Sequence, residues 1–127
     1  MARTQFEELK VYQLAEELAD AIWAIAKTWP VFVRNTLGNQ LFRAVDSIGA
    51  NIAEGTGRGS FQDNRRFIRI ARGSLYETQH GLRRAYKRGL LQSEDITKLK
   101  TLIEELGPRL NAYLTSIGPR HSVPKDK

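Results

Sequence analysis

The sequence has no cysteine and only two histidines among its 127 residues. The absence of cysteine excludes disulfide bonds and thiolate metal sites, and it fits a reducing compartment. His80 and His121 are too isolated to hold a metal ion together. No apolar run approaches the roughly 20 residues of a membrane span, and the start MARTQFEELK lacks the apolar segment of a signal peptide. We therefore expect a cytoplasmic protein with no metal, no cofactor and no membrane partner.

Catalytic motifs are also missing. The stretch ANIAEGTGRGS, residues 50–60, has glycines at every second position but lacks the lysine of a Walker loop and lies between predicted helices. We interpret Gly55 as the left-handed C-cap of one helix and Ser60 as the N-cap of the next. Arg58 lies where free amides of that next helix could also hold an anion. Since no Ser/His/Asp set or carboxylate pair is visible, we expect no enzyme.

Four segments do show apolar residues at steps of three and four, which is typical of amphipathic helices. The predicted helices cover about Gln5 to Thr28, Leu37 to Gly55, Ser60 to Gly89, and the stretch after Ser93 up to Gly118. Thr4 and Glu7 form a capping-box pattern at the first of them. The third helix is predicted to face inward with Phe67, Ala71, Ser74, Leu75, Thr78, Leu82 and Ala85. The expected fold class is all-α, an antiparallel up-and-down four-helix bundle of residues 1–118 with a mobile C-terminal tail of residues 119–127.

Positive charge is concentrated in the third helix. The whole chain has a net charge of +6, and residues 60–89 alone contain eight basic and two acidic side chains. The basic residues are Arg65, Arg66, Arg69, Arg72, Arg83, Arg84, Lys87 and Arg88. At 100° per residue, five of them form one stripe, and Arg66, Arg84 and Arg88 lie beside it.

Two interpretations of this basic helix stay open. Arginine forks suit phosphate oxygens, so the helix could bind the backbone of RNA or DNA in a salt-sensitive way. Alternatively, its arginines pair with acidic residues of the first and fourth helices, within one subunit or between subunits.

A polar pair lies near the end of the second helix. Asn51 and Glu54 are three residues apart and share a face, but no base or nucleophile faces them. We expect a structural network in which Glu54 accepts hydrogen bonds from Arg43 or Arg69, and in which Asn51 ties a turn.

The first helix has a second apolar stripe beside its core stripe. Its members are Tyr12, Ala19, Trp23 and Ala26. A lone bundle leaves part of this stripe exposed, so we predict that it packs against another subunit. The alternative is a broad core face with a partly exposed tryptophan.

Three segments resemble those of a known family. FEELKVYQLAEELADAIW, QLFRAVDSIGANIAEGTGRGS and RRFIRIARGSLYETQ resemble the bacterial 23S rRNA intervening-sequence proteins, or S23 ribosomal protein family. The most specific residues are Ser47-Ile48, Asn51 to Gly55, Arg58, Ala71 to Leu75 and Glu77. The resemblance implies a helical bundle assembled as a homopentameric barrel without known catalysis. Relatives include the accessory variability determinant of diversity-generating retroelements, a basic pentamer that associates with a reverse transcriptase and nucleic acid.

Charge and resemblance together predict a non-enzymatic, oligomeric bundle that binds RNA or DNA through Arg58 and the basic residues of the third helix. The resemblance further implies a role as accessory to the reverse transcriptase of a retroelement. The alternative is a structural or protein-interaction scaffold without nucleic-acid binding, whose arginines meet an acidic protein surface.

Overall fold

A computed structural model describes residues 5–119, and that part of the chain forms helices without any β-strand. The four long helices are α1 (Lys10–Ala26), α2 (Asn39–Thr56), α3 (Phe61–Lys87) and α4 (Ser93–Ser116). Each helix packs on its neighbours in sequence, and α1 also packs on α4, which closes an up-and-down bundle. The seam between α2 and α3 is the most extensive, and that between α3 and α4 is the least. The predicted all-α, four-helix fold is confirmed.

One core runs along the bundle axis. Its largest fully buried side chains are Leu14, Leu18 and Ile22 from α1, Leu41, Ile48 and Ile52 from α2, Ile68 and Leu75 from α3, and Leu106 and Leu110 from α4. The residues predicted to face inward from α3 are buried in six of seven cases, Ala71, Ser74, Leu75, Thr78, Leu82 and Ala85. On α3, however, Ile68 is buried and Phe67 is half-buried, so the prediction placed the wrong member of that pair in the core.

The first helix is shorter than predicted at both ends. A separate 3-10 turn, Phe6–Glu8, precedes it, and Leu9 between them is extended. The side-chain amide of Gln13 donates to the carbonyl oxygen of Glu7 at 3.0 Å, which holds this turn against α1. The predicted capping box therefore does not start α1, and its Thr4 lies outside the described residues. The predicted tail likewise lies outside them, apart from Pro119.

The second helix begins earlier than predicted. One α-helical turn, Val31–Val33, follows Pro30, and a π-helical segment, Arg34–Gly38, joins it to α2 without a break. A proline suits the start of a helix, because N–H groups of the first turn have no partner within the helix and proline lacks an N–H. The buried indole of Trp29 donates to the carbonyl oxygen of Leu90 at 3.2 Å and ties the α1–α2 link to the α3–α4 link.

Gly55 is not the left-handed C-cap that the sequence predicted. α2 continues to Thr56, and Gly57 after it keeps a right-handed conformation with φ −82°. Gly55 is buried inside the helix, where a Cβ would lie 2.6 Å from Oδ1 of Asn64 and 3.0 Å from Cβ of Phe67. The glycine is required by the close approach of α3, not by backbone conformation.

Candidate nucleic-acid interface

α3 carries the predicted basic residues, and a capping interaction defines each of its ends. The hydroxyl of Ser60 accepts the backbone N–H of Asp63 at 3.1 Å, which is the predicted N-cap. At the other end Gly89 has φ +72°, and Leu90 N–H donates to the carbonyl oxygen of Ala85 at 3.0 Å, as in a Schellman motif. The 27 residues between them extend about 40 Å at the rise of an α-helix. The basic side chains are therefore spread along one continuous helix.

The basic side chains of this helix divide by exposure. Those exposed to solvent are Arg66, Arg69, Arg83, Lys87 and Arg88, which we call the basic face. Arg65, Arg72 and Arg84 are half-buried, and Arg58 is exposed in the loop before α3. The predicted stripe of Arg65, Arg69, Arg72, Arg83 and Lys87 thus lies only partly on the open surface.

Two of the half-buried arginines contact α4. Nη1 of Arg65 donates to the carbonyl oxygen of Ile117 at 2.8 Å, and Nη1 of Arg72 donates to Oδ1 of Asn111 at 3.1 Å. Both acceptors are neutral, so these bonds hold α4 beside α3 without cancelling the positive charge. Arg65 and Arg72 therefore have a structural role in the bundle.

Acidic partners of the predicted binding residues are few and local. Nε of Arg66 lies 3.7 Å from Oδ1 of Asp63, and Nη2 of Arg58 lies 2.9 Å from Oε2 of Glu54. Within residues 5–119, no arginine of α3 forms an ion pair with an acid of α1 or α4. The neutralisation within one subunit that the sequence left open is therefore absent from this part of the chain.

Phe67 lies beneath two of the predicted binding residues. The guanidinium carbons of Arg58 and Arg66 stand 4.8 Å and 4.5 Å from the centre of its ring. Such cation–π contacts are favourable. They fasten the glycine-rich loop to the first turns of α3, and both arginines stay exposed.

The polar pair of α2 belongs to a structural network. Nδ2 of Asn51 donates to the carbonyl oxygen of Ser47 at 2.8 Å and to its hydroxyl at 2.9 Å. The hydroxyl of Ser74 on α3 donates to the same Ser47 hydroxyl at 3.0 Å. Asn51 thus bonds within α2, where it was predicted to tie a turn, and Ser47 and Ser74 form the link between α2 and α3. Glu54 pairs with Arg58, and neither Arg43 nor Arg69 is its partner in the described chain.

Two clefts that were not predicted lie along the seam between α3 and α4. One has a volume of about 450 Å³ and is lined by Arg72, Leu75, Tyr76, Gln79, Ile103, Glu104, Gly107, Pro108 and Asn111. The other has a volume of about 440 Å³ and is lined by Gln79, Leu82, Arg83, Tyr86, Leu91, Ile96, Leu99, Lys100, Ile103 and Glu104. Gln79, Ile103 and Glu104 line both, so the clefts are adjacent. Helical spacing places Tyr76 within the basic stripe and was the available signal.

The residues predicted to meet another subunit differ in their exposure to solvent. Trp23 is 57% exposed and packs against Phe42 of α2, with ring centres 5.1 Å apart. Tyr12 and Ala19 are half-buried and line a groove between α1 and α2. Ala26 is completely buried in the core of its own chain, so it is not available to another subunit.

The phenol of Tyr12 in this groove has a raised pKa. Partial burial raises the pKa of its phenol, and the carboxylates of Glu16 and Glu7 raise it further. Glu16 also accepts a hydrogen bond from the neutral phenol. The groove therefore favours an uncharged Tyr12.

Within residues 5–119, no group of three or more histidine, aspartate and glutamate side chains is arranged to hold a metal ion. None of the helices in that range combines the length and apolarity needed to cross a bilayer.

Comparisons with known proteins agree with the resemblance seen in the sequence. The family described as 23S rRNA-intervening sequence protein matches residues 7–112. A crystal structure from Bacteroides thetaiotaomicron, a protein of unknown function from the S23 ribosomal protein family, shares the fold with a TM-score of 0.73 and 23% identity. The match covers 84% of this chain and 99% of that one. No curated protein matches this chain in sequence. The chain belongs to the 23S rRNA-intervening sequence protein family.

Proposed function

We propose that the protein is a non-enzymatic bundle that binds RNA or DNA through the basic face of α3. The observation that carries this proposal is the lack of charge compensation along the helix. Residues 60–89 have six more basic than acidic side chains, and Asp63 is the one acid paired with an arginine of α3 in the described chain. An uncompensated, arginine-rich surface of this length attracts a polyanion.

Binding through this face is expected to be directed at the phosphate backbone. Arginine forks match phosphate oxygens, and each phosphate contact releases counterions from the nucleic acid. Affinity should therefore fall steeply with salt and depend little on sequence. In an oligomer the same face is repeated in every subunit, which raises the total affinity even when each contact is weak.

The test compares two triple variants that remove the same charge. Arg69→Gln/Arg83→Gln/Lys87→Gln removes exposed charge from the basic face, and Lys27→Gln/Arg43→Gln/Lys98→Gln removes exposed charge from the other three sides of the bundle. Binding of mixed-sequence RNA and DNA is measured by fluorescence anisotropy over a range of salt. We expect the first variant to bind weakly, with a slope of log affinity against log salt that is shallower by about two to three units. The second should stay close to wild type.

Equal effects of the two triple variants would reject the basic face as the binding surface. No binding by the wild-type protein at low salt would reject nucleic-acid binding altogether.

A protein-interaction scaffold is the second candidate, and the exposed contact between Trp23 and Phe42 favours it. An apolar patch of this kind is typical of protein contacts. Binding of a protein partner survives moderate salt, whereas phosphate binding does not. The retroelement role is tested in the same assay by adding a purified retroelement reverse transcriptase, in low and moderate salt. Complex formation only in low salt would argue against a specific protein contact.

Self-association is part of both candidates. We propose a homo-oligomer, a pentamer by the family resemblance, in which the surface around Trp23 meets another subunit. Its support is the exposure of a large aromatic side chain beside the half-buried Tyr12 and Ala19.

A further inference from the structure

The seam between α3 and α4 has an unusual combination of side chains. Tyr76 and Tyr86 are 57% and 56% exposed, although large aromatic side chains normally bury most of their surface. Each tyrosine shares its cleft with an arginine, Arg72 in one and Arg83 in the other. Within residues 5–119 neither phenol forms a hydrogen bond with another side chain or the backbone. In the same range, neither ring stacks on another aromatic ring or on a guanidinium group, so exposed ring surface is available to a ligand.

The remaining walls of the clefts suit a flat, polar-edged ligand. Leu75, Ile103 and Pro108 supply apolar surface in the first cleft, where Gln79 and Asn111 supply amide donors and acceptors. Glu104 adds a carboxylate to both clefts. Volumes near 450 Å³ and 440 Å³ fall in the range of about 300–1,000 Å³ that holds small organic ligands. A nucleobase has two apolar faces and a polar edge. The apolar walls of these clefts suit the faces, and their amide and carboxylate groups suit the edge.

We infer that the protein prefers unpaired nucleic acid, whose bases enter these two clefts and stack on Tyr76 and Tyr86 while its phosphates lie along the basic face. This inference rests on the proposed function and names its ligand as a single strand of RNA or DNA. Bases of a duplex are stacked and paired, so they cannot reach aromatic side chains in this way. Aromatic stacking beside a positively charged track is a general way to bind single strands without reading their sequence.

The spacing of the tyrosines sets the length of strand required. Tyr76 and Tyr86 are ten residues apart on α3, which corresponds to about 15 Å along the helix. A stacked strand advances about 3.4 Å per nucleotide, so about four stacked nucleotides, or fewer in an extended strand, connect the clefts. An oligonucleotide of about twelve nucleotides is therefore long enough to occupy both clefts and to contact the basic face.

The experiment measures binding of unstructured twelve-nucleotide RNA and DNA strands, and of their duplexes, to the full chain at one low salt concentration. The test variant is Tyr76→Leu/Tyr86→Leu, which keeps apolar side chains and removes the rings. The matched control is Phe32→Leu, because Phe32 is 77% exposed on the link between α1 and α2 and lies outside both clefts. Circular dichroism and light scattering verify that all variants keep their fold and oligomeric state.

We expect the tyrosine variant to lose about tenfold in affinity for single strands for each ring removed, and to bind duplexes as wild type does. Strands carrying 2-aminopurine should show fluorescence quenching on binding to wild type and to Phe32→Leu, but not to the tyrosine variant. RNA and DNA are measured in parallel, and a higher affinity for one of them shows whether the preferred strand is RNA or DNA.

The binding measurements distinguish a failure of this inference from a failure of the proposed function. Equal binding of strands and duplexes, unchanged in the tyrosine variant but lost in Arg69→Gln/Arg83→Gln/Lys87→Gln, overturns this inference and leaves the proposed function intact. No binding of any nucleic acid overturns the proposed function and this inference with it. A tyrosine variant that changes oligomeric state shows that a second copy covers the clefts, and this also overturns the inference.

Discussion

At the scale of single residues, Gly55 illustrates how packing decides the identity of a side chain. Its hydrogen atoms face Asn64 and Phe67 of α3, and a Cβ would lie 3.1 Å from the backbone oxygen of Asn64. The side-chain amide of Asn64 can rotate away, but the Cβ of Phe67 and a backbone oxygen can move only with the helix. The closeness of α2 and α3 at this point therefore depends on glycine.

We expect Gly55→Ala to lower the free energy of unfolding by about 1 kcal/mol or more, because overpacking outweighs the better helix propensity of alanine. Urea unfolding followed by circular dichroism measures the change. Gly73→Ala is the matched control, since Gly73 is exposed in the middle of α3 and a Cβ there meets nothing within 4 Å. That substitution should stabilise the protein by up to about 1 kcal/mol. A stabilising Gly55→Ala would show that the helices separate at little cost.

Tyr12 gives a prediction about alkaline pH. Burial and the neighbouring carboxylates raise the pKa of the folded phenol above the usual 10.0, so the folded state keeps a proton that the unfolded state has lost. At a pH between the unfolded and the folded pKa of Tyr12, folding therefore takes up a proton. The stabilising contribution of the neutral phenol is complete below the unfolded pKa and is lost as the pH rises through the folded pKa.

The measurement is an absorbance titration of phenolate, with Tyr12→Phe subtracted from wild type to isolate Tyr12. Glu16→Gln should move this difference titration to lower pH, because it removes a negative charge beside the phenol. A titration of Tyr12 at or below its ordinary value would contradict the burial and hydrogen bonding described for it.

The side chains of the candidate site could be predicted from sequence only in part. The arginines of α3 were visible because they form a dense run with helical spacing. Tyr76 and Tyr86 were not singled out, although helical spacing places Tyr76 within the basic stripe. The clefts beside them depend on how far α4 lies from α3, which the pattern of either helix alone does not contain. The partner of Glu54 was also wrong, because a contact one turn along the chain, to Arg58, replaced the predicted contacts to Arg43 or Arg69.

At the scale of secondary-structure elements, the sequence predicted the existence of all four helices and mistook several ends. Ser60 and Gly89 were placed correctly because capping chemistry is local. The start of α1 was wrong because the extended Leu9 separates the 3-10 turn from the helix, although the apolar spacing continues across it. The helical start after Pro30 was missed because a π-helical segment does not keep the usual spacing of apolar residues.

A serine lies at the start of both α3 and α4, but only one of the two is an N-cap, so their alanine variants can be compared. Ser60 is the N-cap of α3, so Ser60→Ala should cost about 1 kcal/mol in the free energy of unfolding. Ser93 is the first residue inside α4, whose N-cap is Gln92 in a capping box with Asp95. Ser93→Ala should therefore change stability by less than about 0.5 kcal/mol. Both are measured by urea unfolding, and equal losses would show that the hydroxyl of Ser60 does not act as a cap.

At the scale of the whole molecule, Trp23 and Phe32 are two of the exposed aromatic side chains of the bundle that lie outside the clefts between α3 and α4. We expect Trp23→Asp to lower the mass of the oligomer in solution, because a charge in an apolar contact is costly to bury. Phe32→Asp introduces the same charge at a site even more exposed in the single chain and should leave the mass unchanged. Multi-angle light scattering over a range of concentrations gives the answer. Dissociation by Phe32→Asp alone would place the subunit contact at the link between α1 and α2.

The two tryptophans differ in exposure, so their fluorescence can follow unfolding and association separately. Trp29 is 6% exposed in the core and Trp23 is 57% exposed at the surface, and the chain has no other tryptophan. In a Trp23→Phe protein, the remaining fluorescence signals unfolding, since the indole of Trp29 enters water when its bond to Leu90 opens. In a Trp29→Phe protein, the accessibility of Trp23 to a soluble quencher follows assembly. Folding and association can therefore be observed separately, without an added dye, in single-tryptophan variants of one chain.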